Sequence, residues 1–124
     1  MKSNLEQKSN ESVVNTLVGE NSLLDTSVIK IEIYEQEFVR IVSLSLKMRV
    51  KSDFELIRLE FLDVEEYGFY SSHNYGNHIE RYKFFKTQIG LYYISLDPFN
   101  EVMEINEHDQ DFVISKSVKF EILK

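Results

Sequence analysis

The ten residues 42–51, VSLSLKMRVK, alternate without a break. Val42, Leu44, Leu46, Met48 and Val50 fall on one side, and Ser43, Ser45, Lys47, Arg49 and Lys51 on the other. A period of two puts the apolar set on one face of a strand and the polar set on the opposite face. One dry face and one wet face mark an antiparallel strand, because parallel strands are normally covered on both sides. The stretch decides the fold class and carries no chemistry of its own.

The pattern extends in both directions. Residues 28–34, VIKIEIY, alternate Ile29, Ile31 and Ile33 against Lys30, Glu32 and Tyr34, and read as a strand. Glu35, Gln36 and Glu37 read as a polar turn into a long strand over 38–50. Lys51, Ser52 and Asp53 have the length of a hairpin connection. The return strand carries a parity conflict: Phe54 and Leu56 share one face, Ile57, Leu59 and Phe61 the other. A one-residue slip flips every side chain, so the conflict predicts a β-bulge at Leu56–Ile57 that also coils the sheet.

Residues 63–66 read as a second connection and 67–71 as a short aromatic strand. A loop over 72–77 follows, with Gly76 able to take a positive φ. Strands over 79–86 and 91–96 flank a turn near 87–90, and Asp97–Pro98 ends the second. In the polar stretch 100–110, Asn106 is placed to cap one helical turn. A final strand covers 118–122. Near the start, Val13, Val14, Leu17 and Val18 fall at helical spacing. Ser9 or Asn10 serves as cap and Gly19 as stop for a short helix over 12–18, with an edge strand as the alternative.

Together these elements predict a mainly β chain with an α+β margin. Its antiparallel sheet of about seven strands curls into a roll, sandwich or partly open barrel, with a short N-terminal helix. Residues 1–11 read as a flexible N-terminus and 12–124 as a single β-rich domain.

Composition narrows the function classes. The 124 residues are 43% hydrophobic and 13% aromatic, which suits a folded core. A net charge of −7 argues against a phosphate-binding face, so nucleic acid is not an expected partner. The absence of cysteine excludes disulfides, thiolate metal sites and cysteine nucleophiles. No apolar run approaches the roughly 18 residues of a membrane span, and the polar N-terminus does not read as a secretory signal. The expectation is a cytoplasmic protein without a membrane partner.

Ten of the sixteen aromatic residues lie between Tyr67 and Phe99. Adjacent pairs such as Phe84–Phe85 and Tyr92–Tyr93 point to opposite faces of a strand, so one member of each is core and the other exposed or covered by another element. Exposed tyrosine offers large contact area at low rotamer entropy. Residues 97–111 carry six acids and no Lys or Arg. The partner-binding candidates are therefore Tyr70, Tyr75, Tyr93, Asp97, Glu101, Glu104, Glu107, Asp109 and Asp111, facing a basic protein. The segment lacks the glycine and ligand spacing of a calcium loop. A zinc site can be drawn from His73, His78 and His108 with Asp109 or Asp111, since zinc takes N and O ligands, but nothing in their spacing demands it. Ser71 or Ser72 with His73 and Asp63 would make a nucleophilic set on paper, without the glycine-flanked elbow such sets use. Glu65 and Glu66 are adjacent, so on a strand they face opposite ways. No catalytic residue, metal site or cofactor is expected.

Residues 22–31, SLLDTSVIKI, resemble the opening of small bacterial β-rich families that begin with leucine, histidine, aspartate and a small residue before a strand. The run 54–64, FELIRLEFLDV, follows as the alternating strands of those families do. Some of these families are immunity proteins that neutralise toxins used in bacterial competition. Here the histidine position is Leu24, so no family residue carries over as functional. The resemblance implies a non-enzymatic bacterial protein-binding module, in its sharpest form an immunity protein against a basic toxin. The alternative is a small-ligand carrier or sensor with a pocket of Tyr67, Phe69, Tyr82 and Tyr92. A monomer and a homodimer both fit, since an open sheet has edges that can pair.

Overall fold

The computed structural model describes residues 7–70 and 77–124. Strand β1 (Gln7–Ser9) leads into helix α1 (Glu11–Thr16) and a 3-10 turn at Gly19–Asn21. Six further strands follow: β2 (Ser27–Gln36), β3 (Val39–Lys47), β4 (Leu56–Gly68), β5 (Lys83–Lys86), β6 (Tyr92–Asp97) and β7 (Gln110–Ile122). They form one seven-stranded sheet in the order β2-β3-β4-β7-β6-β5, with β1 beside β7. Every pairing is antiparallel, and the order ends in β2 and β5 without closing. Among the described residues no helix is long and apolar enough to cross a membrane.

The alternation in β3 sets the core. Val42, Leu44 and Leu46 are fully buried and stand opposite Phe61, Leu59 and Ile57 of β4. These in turn face Val118, Phe120 and Ile122 of β7. The opposite side of this layer is closed by the N-terminal segment, whose Val13, Leu17 and Leu23 join the same cluster. Each such fully buried aliphatic side chain contributes about 1.5–3 kcal/mol through loss of water contact. Val50 is a correction: β3 stops at Lys47, and Val50 is fully exposed.

The flexible N-terminus expected over 1–11 reaches too far along the chain. Gln7–Ser9 pair with β7, and Glu11 already begins α1. Asn10 explains why: its N–H donates to Val118 O at 2.7 Å, and its Oδ1 accepts the Val118 N–H at 3.0 Å. The side chain predicted as a helix cap is spent on closing β1 against β7, and makes no capping bond.

The bulge predicted at Leu56–Ile57 is absent. Register runs unbroken from Lys47↔Leu56 to Ile41↔Leu62. The parity conflict is resolved by a wider connection, residues 48–55, in which Phe54 leaves the ladder and packs edge-on against Phe120. Asn21 holds that connection in place, its Oδ1 accepting from Ser52 Oγ at 2.9 Å and from Asp53 N–H at 2.8 Å. The second connection expected at 63–66 is likewise absent, since β4 runs straight through it. Instead Asp63 takes φ 58° and the β4–β7 register shifts between Val64 and Glu66. Buried positions thereby advance from Phe61 to Val64, and Phe69 packs on the same cluster.

Elsewhere β5 is shorter than the expected 79–86, while β7 extends over thirteen residues rather than only 118–122. Asn106 caps no helix; its Oδ1 accepts the His108 N–H within a turn. The turn at 87–90 is as expected, with Gly90 at φ 89°.

The β2–β3 hairpin closes at Gln36↔Val39, leaving Glu37 and Phe38 as its two turn residues. Both have positive φ, 53° and 68°, the backbone that tight hairpins normally give to Asn-Gly. Phe38 is also fully exposed. A side chain on a left-handed backbone costs about 1–2 kcal/mol. Phe38→Gly is therefore expected to stabilise the fold by about 1 kcal/mol, read as a higher midpoint in thermal or urea unfolding. An unchanged or lower midpoint would show that the Phe38 side chain has a stabilising contact.

Candidate functional site

The strongest concentration of polar chemistry lies where the acidic segment folds back over the outer face of β5 and β6. On β6, Tyr92 points into the main core and Tyr93 to the other face. Tyr93 is nonetheless buried, with rings of Phe85 and Phe112 at 5.4 and 6.2 Å. Lys83 of β5 lies on the same outer face and is entirely buried. Its Nζ donates to Asp109 Oδ2 at 3.0 Å, to Oδ1 at 3.2 Å, and to Glu104 O at 2.8 Å. Asp109 also accepts from Tyr93 Oη at 2.6 Å and from the backbone N–H groups of Phe99 (2.8 Å) and Asn106 (3.1 Å).

Burial by itself would push the Asp109 carboxyl up. The hydrogen bonds from Tyr93 first, then Phe99 N–H, Lys83 and Asn106 N–H, more than offset it and hold the carboxyl below its ordinary range. Tyr93 moves the other way: burial, then its bond to Asp109 and that residue's charge, push its hydroxyl well above the usual value. This is a satisfied buried ion pair, and it fixes a loop without ladder bonds of its own.

What the loop shows to solvent is mixed. Glu101, Glu104 and Glu107 are exposed, and so are Phe99, Val102, Met103 and Ile105. Phe99 stacks on His108 at 5.3 Å between centroids. Met103 and Ile105 form one wall of a groove whose other wall is the β5–β6 turn, with the exposed Ile89. The pinned loop thus shows solvent an apolar patch rimmed by acids.

Comparison of the chain with protein-family models, curated proteins and solved structures finds no match. The residues themselves must carry the reading.

Of the nine partner candidates, the structure brings Glu101, Glu104 and Glu107 together on this exposed loop. Tyr93, Asp109 and Asp111 are corrections: at 1%, 5% and 3% exposure they have no surface to offer a partner protein directly. Asp97 is partly buried, its carboxyl held above the ordinary range by burial and by the charge of Asp111, against the pull of Arg81. Tyr70 is exposed at the end of β4, and Tyr75 lies outside the described residues.

The remaining constellations do not converge. His73, Ser71 and Ser72 lie outside the described residues. His78 Nε2 sits 3.2 Å from Asp25 Oδ1, while Asp63 pairs with Lys116 at 3.5 Å. Among the described residues no group of three or more His, Asp or Glu could hold a metal ion. Of the four expected pocket aromatics, Tyr92 is core, Tyr82 and Phe69 pack on it, and the more exposed Tyr67 stacks against Phe69 at 6.2 Å.

Sequence reading missed Lys83 and the apolar half of the loop. A lone lysine in the run Tyr82–Lys83–Phe84–Phe85 was the available signal, because a strand buried on both faces must pair such a charge. Asp109→Asn leaves that charge buried without its partner and is expected to cost about 3–5 kcal/mol in urea unfolding. The acid dependence has a definite sign. A carboxyl whose folded pKa is depressed stabilises fully above its unfolded value of about 3.9, and that stability is lost as pH falls through the folded value. Wild type should therefore lose stability below about pH 4 more steeply than the Asn variant. Equal slopes would remove Asp109 from the acid response.

Proposed function

We propose that this chain is a non-enzymatic protein-binding module whose contact surface is the loop between β6 and β7, and whose partner is a basic protein. One observation carries the reading: exposed Phe99, Val102, Met103 and Ile105 share a loop with three exposed glutamates, and a buried ion pair fixes that loop in place. Large apolar side chains exposed together have a cost in water that a partner removes. Methionine adapts its shape to the surface it meets, and the acids steer a basic partner to it and exclude acidic ones. Fixing the loop beforehand lowers the entropy lost on binding.

The sharper form of this proposal is an immunity protein that neutralises a toxin. It draws support from the sequence resemblance and from the net charge of −7, since nuclease-type toxins expose basic clefts.

The test is capture of partners from the source cell by three proteins: wild type, Met103→Asp, and the triple variant Glu101→Lys, Glu104→Lys, Glu107→Lys. All substituted side chains are exposed, so all three proteins should unfold at closely similar midpoints. A basic protein retained by wild type, released by salt and lost from both variants is the expected result. Protection of cells expressing that partner would establish the immunity role. Identical capture by wild type and both variants would place any binding surface elsewhere on the molecule.

A further inference from the structure

We propose that the chain forms a two-fold dimer through the outer edge of β2, in which residues 30–36 of two copies pair antiparallel about Ile33 and the two sheets become one. The contact lies at the opposite end of the strand order from the β5–β6 end that the exposed loop covers, and does not depend on that loop being an interface.

Among the described strands β2 pairs with β3 alone. Among the described residues its outer edge is occupied at its start, where Ser27 bridges His78 and the Val28 N–H donates to Asn77 O at 2.9 Å. Ile29 is the residue left unmatched by the register shift between Val28 and Lys30. Over residues 30–36 the register against β3 is then unbroken, and every residue of that run except Glu32 is exposed. A regular strand with an open edge is a template for pairing with another chain. A bulge is one of the devices that blunt such an edge, and here it falls outside the open run.

The side chains of the run suit a second copy and fix how it sits. A two-fold axis normal to the sheet sets one residue opposite its own copy and keeps both core faces on the same side. Centring on Lys30 or Glu32 puts like charges directly opposite each other, which destabilises a strand pair. Centring on Ile31 faces Lys30 with Glu32, but drives residues 34–36 of each copy through residues 77–79 of the other, which are bonded to Thr26 and Val28. Centring on Tyr34 shortens the ladder to residues 32–36. Centring on Ile33 avoids all of these faults. It uses the whole open run, pairing Lys30 with Gln36, Ile31 with Glu35 and Glu32 with Tyr34, so that no like charges stand directly opposite.

The exposed apolar side chains meet in the same register. Ile31 and Ile33 stand opposite Leu44 and Val42, on the core face of the sheet, yet are 41% and 43% exposed. In the dimer Ile33 faces its own copy and Ile31 lies diagonal to it, so four isoleucines line the junction within reach of one another. The hairpin tip of each copy, Glu37 and Phe38, ends beside Asn77 of the other, which marks the limit of the open edge. Phe38 is fully exposed in the single chain, and the dimer gives it a neighbour.

The test is sedimentation equilibrium of the full chain at about 0.15 M salt, where repulsion between two chains of net charge −7 is screened beyond about 8 Å. A reversible monomer–dimer equilibrium is expected, since so short a contact belongs with the weak interfaces. Ile33→Lys sets two lysines against each other on the axis and should weaken the dimer by about tenfold or more. Gln36→Lys sets a lysine opposite Lys30 twice per dimer and should weaken it by about fivefold. Adding Lys30→Glu to that variant turns both repulsions into attractions and should restore at least the wild-type strength. All three substituted side chains are exposed, so the unfolding midpoint of the monomer should change little in each variant. The absence of a dimer at up to about 1 mM chain, a dimer indifferent to either single variant, or a Gln36→Lys defect that Lys30→Glu leaves uncorrected would overturn the proposal.

Discussion

The ion pair between Lys83 and Asp109 is the contact on which the outer face of the sheet depends. Neither side chain has any exposure, so each charge would be untenable without the other. The cost of removing both from water is met because the carboxylate has four donor groups around it and the ammonium has a backbone carbonyl as well. That arrangement lets Tyr93, Phe85 and Phe112 form a second apolar layer on a sheet whose main core lies on the opposite side. An antiparallel sheet with one face in water has become, at its β5–β6–β7 end, a sheet covered on both faces. The cover is a loop with little regular structure.

The two ends of the sheet differ for that reason. At the β2 end, Ile31 and Ile33 stand opposite the buried Leu44 and Val42, yet each is exposed, because β2 is an edge strand that pairs, among the described strands, with β3 alone. At the other end nothing comparable is left bare on β6. The exposed apolar residues are divided accordingly between the acidic loop after β6 and the edge strand β2. Both features have the same origin in a single sheet that does not close.

The parts of this architecture that depend on local period were readable in the chain. The alternation of Val42, Leu44 and Leu46 placed one core face correctly, and the helical spacing of Val13 and Leu17 identified the piece that packs on it. What depended on distant partners was not readable. The parity of Phe54 against Ile57 pointed to a bulge, because nothing nearby in sequence announced that Asn21 would hold a longer connection open. Tyr93 and Asp109 were assigned to the surface for a related reason. The period of β6 says that Tyr92 and Tyr93 face opposite ways, but only the return of a loop sixteen residues later decides that both are buried. Glu101, Glu104 and Glu107 are exposed as their charge suggested, but the same charge argument misplaced Asp109 and Asp111, which are buried.

The anchoring of the loop also divides its residues by how freely they can change over evolutionary time. Among the side chains that hold it are Lys83, Tyr93 and Asp109, with Arg81 on the carbonyl of Pro98. The other anchoring bonds use the backbone N–H groups of Phe99 and Asn106 and the carbonyl of Glu104, which nearly any amino acid supplies. Sequence drift at Glu101, Val102, Met103 or Glu107 therefore leaves the frame intact while altering what the frame displays. A lineage carrying this fold could acquire a new specificity one exposed residue at a time, without passing through an unfolded ancestor.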